Sequence, residues 1–181
     1  MKRGEVVAGS KTALVTGASK GIGRCYALQL AELGYNVVMV SLTEASIEKT
    51  AQEVAEVNSK VWVRHYTKDL ATITAAEELF AWTEQEGIKV DVLINNAGMF
   101  SFCDILNTPT ERIERTILLH DMTTTKMCRI YADDMAKRGG GYILNMSSYS
   151  IWMPYPGLSL YSASKAYLKS FSVAFSKEVR E

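Results

Sequence analysis

A tyrosine and a lysine four positions apart could form a reaction centre near the end of the chain. The segment YSASK places Tyr161 one helical turn ahead of Lys165, and residues four apart lie on the same face of a helix. A phenol is a poor base at neutral pH, but a neighbouring ammonium group favours its phenolate form. The pair could therefore exchange a proton with an alcohol or a carbonyl oxygen. On its own, YxxxK is more typical of a helix start with a surface lysine.

A serine thirteen residues before the tyrosine adds a third polar group. Ser148 follows the predicted strand 142–146, and its hydroxyl could hydrogen-bond the same substrate oxygen as Tyr161. The three groups together fit carbonyl reduction, in which a nicotinamide cofactor gives hydride to carbon and a proton goes to oxygen. We therefore predict Ser148, Tyr161 and Lys165 as catalytic residues, and Tyr161 and Lys165 also as cofactor contacts.

The elements that must position these residues alternate strictly along the chain. Short runs of β-branched and other apolar residues predict five strands, at 12–16, 36–41, 60–63, 90–95 and 142–146. Apolar residues three and four apart predict helices between them, at 22–33, 44–57, 72–86 and 108–138, with a last helix from 161 onward. Strands apolar enough to be covered on both faces favour a parallel sheet. The sequence predicts one α/β domain over residues 1–181, a doubly wound parallel sheet or Rossmann fold.

A glycine-rich turn, TGASKGIG, follows the first strand, where a doubly wound sheet binds nucleotide phosphates on a helix N-terminus. Gly17 could turn sharply there, and Gly21 or Gly23 could let a pyrophosphate approach the backbone amides. The spacing is GxxxGxG rather than GxGxxG, so an ordinary strand-to-helix turn is the alternative. The cofactor contacts predicted in this turn are Gly17, Ser19, Lys20, Gly21, Ile22 and Gly23.

The end of the second strand favours NADP(H) over NAD(H). Ser41, Leu42 and Thr43 stand where an acidic residue would bind the adenosine ribose of NAD. Lys20 could attract the 2′-phosphate of NADP, although it could equally point to water. NADP is therefore the predicted cofactor and NAD the alternative.

Two further segments could complete a nucleotide site. Asp69 could accept a hydrogen bond from an adenine amino group and Leu70 could cover the ring, although Asp69 could equally cap the following helix. After the fourth strand, NNAG supplies Asn95, Ala97 and Gly98 as predicted cofactor contacts. The small pair of residues would leave room for a ligand across the sheet edge, but the tetrapeptide is also a plausible turn.

The composition gives no reason to expect a macromolecular ligand or a metal. The 181 residues are 48% apolar, with 20 basic and 20 acidic side chains and no run of one charge, so neither nucleic acid nor an anionic membrane is favoured. The three widely spaced cysteines lack metal-ligand spacing. No apolar run approaches the ~20 residues of a membrane span, and the start MKRGEVVAGS lacks a signal core. We expect a cytoplasmic protein with a small-molecule carbonyl or alcohol substrate and no metal.

TGASKGIG, NNAG, Ser148 and YSASK, in this order, resemble the short-chain dehydrogenase/reductase family from Thr12 to the last residue. The resemblance implies an NAD(P)(H)-dependent oxidoreductase in which Tyr161 is the acid and base. It also implies that Lys165 binds the nicotinamide ribose and supports the tyrosine, while Ser148 orients the substrate. The segment around YSASK is similar to the branch that contains hydroxysteroid and long-chain 3-oxoacyl reductases.

The sequence departs from the family in two places. Many members carry an asparagine that helps to hold a relay water where this chain has His120. His120 could keep a relay, or it could be a core histidine in helical phase with Ile113 and Ile117. Members also continue into a sixth strand, a substrate loop and a seventh strand, so the fold is expected to lack its last strands. Their long and final helices commonly pair across a two-fold axis, which implies a homodimer or homotetramer.

Three functions stay open from the sequence. The first is an NADP(H)-preferring oxidoreductase for an apolar ketone or secondary alcohol, with a pocket formed by Tyr149, Trp152, Met153 and Tyr155. The second is a dinucleotide-binding sensor or assembly protein without turnover. An epimerase or dehydratase is a third, but it fits the glycine spacing and the serine interval less well.

Overall fold

A five-stranded parallel sheet forms the centre of the computed structural model, which describes residues 9–153 and 155–179. The strands are β1 (Thr12–Thr16), β2 (Asn36–Ser41), β3 (Val63–Thr67), β4 (Val92–Asn95) and β5 (Tyr142–Asn145). Their order is β3-β2-β1-β4-β5, and every pairing is parallel. The chain therefore reverses its direction of winding between β1 and β4, which confirms the predicted doubly wound α/β fold.

Helices cover both faces of the sheet. They are α1 (Gly21–Glu32), α2 (Glu44–Val57), α3 (Ala75–Gln85), α4 (Thr110–Ile117), α5 (Thr124–Lys137) and α6 (Ser159–Glu178). Because side chains alternate along a strand, Ala13 and Val15 of β1 pack against α1 and α2, whereas Leu14 packs against α3 and α5. No helix among the described residues is both long and apolar enough to cross a bilayer.

The predicted position of the third strand is wrong. We expected it at 60–63, but β3 begins at Val63 and continues through Arg64 and His65 to Thr67. This strand lies at the edge of the sheet and pairs only with β2 among the described strands. A half-exposed edge strand tolerates polar side chains, so β3 does not need a continuous apolar run. The prediction relied on the apolar run at 60–63, which ends where β3 begins.

The predicted helix 108–138 is interrupted by a π-helical turn over Leu118–Thr123, which separates α4 from α5. Side-chain hydrogen bonds accompany the wider turn. The Thr123 hydroxyl donates to the Leu70 carbonyl at 2.8 Å, and the Thr124 hydroxyl donates to the Leu119 carbonyl at 3.4 Å. Single π turns often occur at functional sites, and this one buries His120 completely.

Gly23 in the first turn of α1 lies against the backbone of the preceding loop. A Cβ atom on Gly23 would lie 2.3 Å from the Gly17 carbonyl oxygen and 2.5 Å from Asn96 Nδ2. We expect Gly23→Ala to lower the free energy of unfolding by about 1–3 kcal/mol in urea titrations, because overpacking outweighs the gain in helix propensity. Gln29→Ala, at an exposed position of the same helix, is the control and should change it by less than about 0.5 kcal/mol. Equal changes in the two variants would contradict the close contact.

Candidate active site

A cavity of about 540 Å³ lies at the carboxyl ends of the strands, where the winding of the sheet reverses. Ligands of doubly wound folds bind at this position. The loops after β1 to β4, together with α4 and the π turn, supply its lining: Gly17, Ser19, Lys20, Ser41, Leu42, Thr43, Ser46, Lys68, Asp69, Leu70, Ala71, Asn96, Ala97, Gly98, Met99, Arg115 and Leu119.

The loops after β1 and β4 are held together by hydrogen bonds and by the absence of a side chain at Gly17. Gly17 has φ +65°, and a Cβ atom there would lie 2.9 Å from Ala97 Cα. Asn96 Nδ2 donates to the Thr16 carbonyl at 3.0 Å, and the Thr16 hydroxyl accepts from the amides of Asn96 and Ala97, both at 3.0 Å. The two turns are therefore packed directly against each other at the edge of the cavity. Asn96 was not among the predicted site residues.

The cavity brings together seven of the predicted cofactor contacts: Gly17, Ser19, Lys20, Asp69, Leu70, Ala97 and Gly98. The other predicted cofactor contacts do not line it: Gly21, Ile22, Gly23, Asn95, Tyr161 and Lys165. Ser148 does not line it either. Ile22 is 58% exposed on α1, and Gly23 is buried behind Gly17. Asn95 is buried and donates through Nδ2 to Asn145 Oδ1 at 2.8 Å, so its side chain joins β4 to β5.

Asp69 uses both carboxylate oxygens within the chain. Oδ1 accepts from the Ala71 amide at 2.8 Å, and Oδ2 accepts from Arg115 at 3.0 Å. The first contact closes the turn ahead of α3, and the second neutralises the carboxylate. Carboxylate oxygens have further lone pairs, so a ligand donor could still bind Asp69 in the cavity.

The charges around the cavity are mainly positive. Lys20, Lys68 and Arg115 line it, and Asp69 is the acidic residue in its lining. Lys68 is paired with Glu78, whereas Lys20 forms no ion pair with another described residue. At the end of β2, the Ser41 hydroxyl donates to Ser19 Oγ at 2.9 Å. The region where a carboxylate would repel a 2′-phosphate therefore holds hydroxyl groups and a lysine.

Lys165 is buried beside Tyr161 on the first two turns of α6. It is 4% exposed, and its Nζ donates to the Met146 carbonyl at 2.8 Å and lies 5.8 Å from the centre of the Tyr161 ring. A Cβ atom on Gly98 would lie 3.5 Å from the same Nζ. Lys165 therefore faces the turn that lines the cavity, although it is not itself part of the lining.

Ser148 lies beyond β5 in a segment that is fixed to α6. The neighbouring Ser147 hydroxyl donates to the Lys165 carbonyl at 2.8 Å. Ser148 Oγ accepts from the amide of Ser150 at 3.1 Å and from its hydroxyl at 3.0 Å. With both donors on its oxygen, the Ser148 hydroxyl has its own hydrogen left to donate. Sequence reasoning did not identify Ser150, whose only signal is its place two residues after Ser148.

His120 forms hydrogen bonds with both ring nitrogens. Nε2 accepts from the Met99 amide at 2.9 Å, and Nδ1 lies 2.8 Å from Ser164 Oγ. Burial, with the nearby Lys165 ammonium as a smaller cause, lowers the pKa of His120 to about 3. The imidazole is therefore neutral at neutral pH and is more than a packed core side chain.

Burial also shifts the two charged groups next to His120. It lowers the pKa of Lys165 to about 8, and the negative charge of Asp121 partly opposes this shift. It raises the pKa of Asp121 to about 6, with Lys165 as the opposing influence. Asp121 Oδ1 is buried without a hydrogen-bond partner among the described residues. The two groups therefore support each other's charged state against desolvation.

The family pattern described as short chain dehydrogenase matches residues 11–181. The chain belongs to this family. Very-long-chain 3-oxoacyl-CoA reductase of Pyricularia oryzae is 35% identical over 170 residues, 93% of this chain and 51% of the relative. Human (Homo sapiens) 17-beta-hydroxysteroid dehydrogenase type 3 is 34% identical over 174 residues, 93% of this chain and 54% of the relative. The chain thus spans about half the length of these relatives, and their names confirm the predicted branch.

Solved structures of short-chain dehydrogenases have the same fold. A short-chain dehydrogenase from Sphingobium yanoikuyae in complex with NADPH superimposes with a TM-score of 0.86 and 29% sequence identity. The match covers 93% of this chain and 66% of that chain. Neighbours of both cofactor types occur, since a xylitol dehydrogenase bound to NAD⁺ has a TM-score of 0.84 at 25% identity. The fold similarity alone therefore does not choose between the two cofactors.

Asp121→Asn should raise the free energy of unfolding at pH 8, and the gain should disappear toward pH 4. The folded pKa of about 6 lies above the ordinary 3.8, so the ionised carboxylate costs stability above pH 6. Both states bind the proton below about 3.8, and the cost is then absent. Urea titrations at the two pH values measure the difference.

Asp133→Asn is the control for this measurement, because Asp133 forms an exposed ion pair with Lys137. It should change stability by less than about 0.5 kcal/mol at either pH. A gain for Asp121→Asn that is the same at both pH values would contradict the raised pKa.

Proposed function

We propose that the chain forms the cofactor-binding and catalytic part of an NADP(H)-preferring oxidoreductase. It transfers hydride between the cofactor and a ketone or secondary alcohol of an apolar substrate. The observation that carries this proposal is the position of Lys165. Its buried ammonium lies beside Tyr161 and faces Gly98, which lines the cavity. A surface lysine at the start of a helix would have neither the burial nor the partner.

The residues present fit a dinucleotide. Any side chain at Gly98 would crowd His120 Nε2, 3.0 Å from a Cβ atom there, and one at Gly17 would collide with Ala97. Both glycines also line the cavity, so a ligand there can approach their backbone. The loop with Ser19 and Lys20 would hold phosphates, Asp69 and Leu70 would hold the adenine, and Lys165 would hold the nicotinamide ribose. When bound, the cofactor supplies or accepts the hydride.

The protein's own side chains handle the proton. In reduction, the Tyr161 hydroxyl gives its proton to the substrate oxygen, and in oxidation the phenolate takes it back. The Lys165 ammonium lies 5.8 Å from the centre of the Tyr161 ring, and Asp121 helps to keep Lys165 protonated. Ser148 donates its remaining hydrogen to the same substrate oxygen, while Ser150 fixes the direction of that hydroxyl.

Apolar side chains near these residues support an apolar substrate. Two loops, after β4 and after β5, expose large apolar groups: Phe100, Phe102, Tyr149, Trp152, Met153 and Tyr155. The Phe100 ring packs edge-on against Tyr161 with 5.1 Å between centres, and Phe102 lies 6.1 Å from Tyr155. The names of the two relatives, a very-long-chain 3-oxoacyl-CoA reductase and a hydroxysteroid dehydrogenase, support the same substrate character.

A homo-oligomer built on α5 and α6 stays a prediction, as does the cytoplasmic location. In support of association, Tyr167, Phe171 and Phe175 stack along α6 with ring centres 6.1 and 5.2 Å apart. Tyr167 is joined to α5 by a 2.8 Å hydrogen bond with Thr125. This aromatic row could pack against a second copy of the chain.

Tyr161→Phe should abolish turnover and keep cofactor binding. Without the hydroxyl no proton reaches the substrate oxygen, so we expect the rate of NADPH oxidation with hydrophobic ketones to fall at least about 100-fold. The dissociation constant of NADPH should change by less than about threefold. Tyr142→Phe, at a 72% exposed position at the start of β5 and away from the cavity, is the control and should keep wild-type rates. Tight NADPH binding without any turnover by the wild-type protein would instead favour a non-catalytic dinucleotide sensor.

Lys20→Ala should weaken NADPH binding about fivefold and NADH binding less than about twofold. Only NADPH carries the 2′-phosphate, and one exposed charge pair contributes about 1 kcal/mol. Fluorescence titration of both cofactors measures the ratio. Lys60→Ala, an exposed lysine that does not line the cavity, should leave both affinities unchanged. An equal loss for the two cofactors would mean that Lys20 does not recognise the 2′-phosphate.

A further inference from the structure

The His120 ring connects two parts of the candidate active site that are distant in sequence. On one side it contacts Met99, at the end of the turn Ala97–Met99, which lines the cavity. On the other side it contacts Ser164, in the helical turn between Tyr161 and Lys165. The ring is completely buried, so water does not compete for these two contacts.

The hydrogen bonds around His120 run in one direction. The Met99 amide can only donate, so Nε2 is the acceptor and the neutral ring carries its hydrogen on Nδ1. Nδ1 then donates to Ser164 Oγ, and Ser164 Oγ donates to the Tyr161 carbonyl at 2.9 Å. Every donor has an acceptor only in this tautomer. A protonated imidazole would set an N–H against the Met99 amide.

We propose that neutral His120 is a positioning residue that clamps the turn Ala97–Met99 to the first two turns of α6, and so fixes Tyr161 relative to the cavity. The proposal deepens the oxidoreductase function and rests on it for the role of Tyr161. It excludes His120 as a carrier of protons, because the ring must stay in one neutral form to keep both contacts.

The groups that face His120 favour the neutral form. From α6, the Lys165 ammonium repels a second positive charge, and the Tyr161 ring lies 6.0 Å away edge-on. From the β4 loop, a Cβ atom on Gly98 would lie only 3.0 Å from Nε2. Asp121 is adjacent in the π turn, but its carboxylate is not among the hydrogen-bond partners of the ring.

Replacing His120 by an amide side chain can test its contacts with Met99 and with Ser164 separately. In His120→Gln the longer amide can place its oxygen where Nε2 lies and accept from Met99, but it leaves Ser164 without its donor. In His120→Asn the shorter amide can donate to Ser164 but does not reach Met99. Ser164→Ala breaks the clamp from the other end. Ser162→Ala is the matched control, because the buried Ser162 hydroxyl on the same helical turn has no partner among residues 9–153 and 155–179.

His120→Gln and Ser164→Ala should each lower kcat about threefold to tenfold and change the dissociation constant of NADPH by less than about twofold, since one hydrogen bond is lost in each. The double variant should be no worse than either single one, because both remove the same contact. His120→Asn should mainly weaken NADPH binding, about threefold to tenfold, since the cavity turn loses its contact. Ser162→Ala should match the wild type.

Two measurements distinguish the proposed clamp from a general loss of stability in the variants. Hydrogen exchange at the Met99 amide should stay slow in His120→Gln and become fast in His120→Asn. The pH profile of kcat should keep its shape in His120→Gln, because the ring does not titrate in the working range. A pH limb that disappears in this variant would make His120 a proton carrier and overturn the proposal. Wild-type kcat in both Ser164→Ala and His120→Gln would also overturn it, as would additive losses.

Failure of the clamp and failure of the proposed function give different results. Ser164→Ala removes a single hydroxyl and decides the kcat test even if the His120 variants do not fold. If the wild-type protein binds NADPH but shows no turnover, the proposed function falls. Amide exchange and NADPH affinity of the full chain then still decide whether His120 holds the turn, since neither measurement requires catalysis.

Discussion

The burial of the Lys165 ammonium is the constraint on which the rest of the site depends. A buried charge is costly unless other groups compensate for it, and the lowered pKa of Lys165 shows that the compensation is partial. The Met146 carbonyl at the end of β5 supplies the hydrogen bond, and Asp121 supplies the opposing charge. The backbone of Gly98 approaches so closely that a side chain there would touch the ammonium. One side chain thus ties together α6, the π turn and the ends of β4 and β5.

The π turn places two groups with opposite pKa shifts next to each other. Within two consecutive residues it holds His120, whose pKa is lowered, and Asp121, whose pKa is raised. Both shifts arise mainly from desolvation, and each neighbours the same lysine. An uninterrupted helix over 108–138 would be the simpler solution for stability. Natural proteins often give up some stability where a site needs charged groups in a dry environment.

The sequence predicts features that depend on local spacing. The strands β1, β2 and β5, the glycine turn and the Tyr161–Lys165 pair follow from apolar runs and helical periodicity, which act within a few residues. The position predicted for β3 was wrong because a strand at the edge of the sheet does not need a continuous apolar run. The sequence also does not show which of Asn95 and Asn96 faces the cavity. Neighbouring residues at a strand end point to opposite sides of the sheet. Asn95 faces the core and Asn96 faces the cavity, and the pair NN does not reveal which is which.

The partners of His120 lie beyond sequence reasoning because Met99 and Ser164 are far from it along the chain. Their chemistry nevertheless explains how a histidine can stand where the family resemblance led us to expect an asparagine. A neutral imidazole with its hydrogen on Nδ1 offers one donor and one acceptor, as a side-chain amide does. Its two nitrogens point away from each other and reach two separate elements, the loop after β4 and α6. The substitution therefore keeps the hydrogen-bonding pattern of an amide only while the ring stays neutral, and complete burial beside Lys165 ensures that it does.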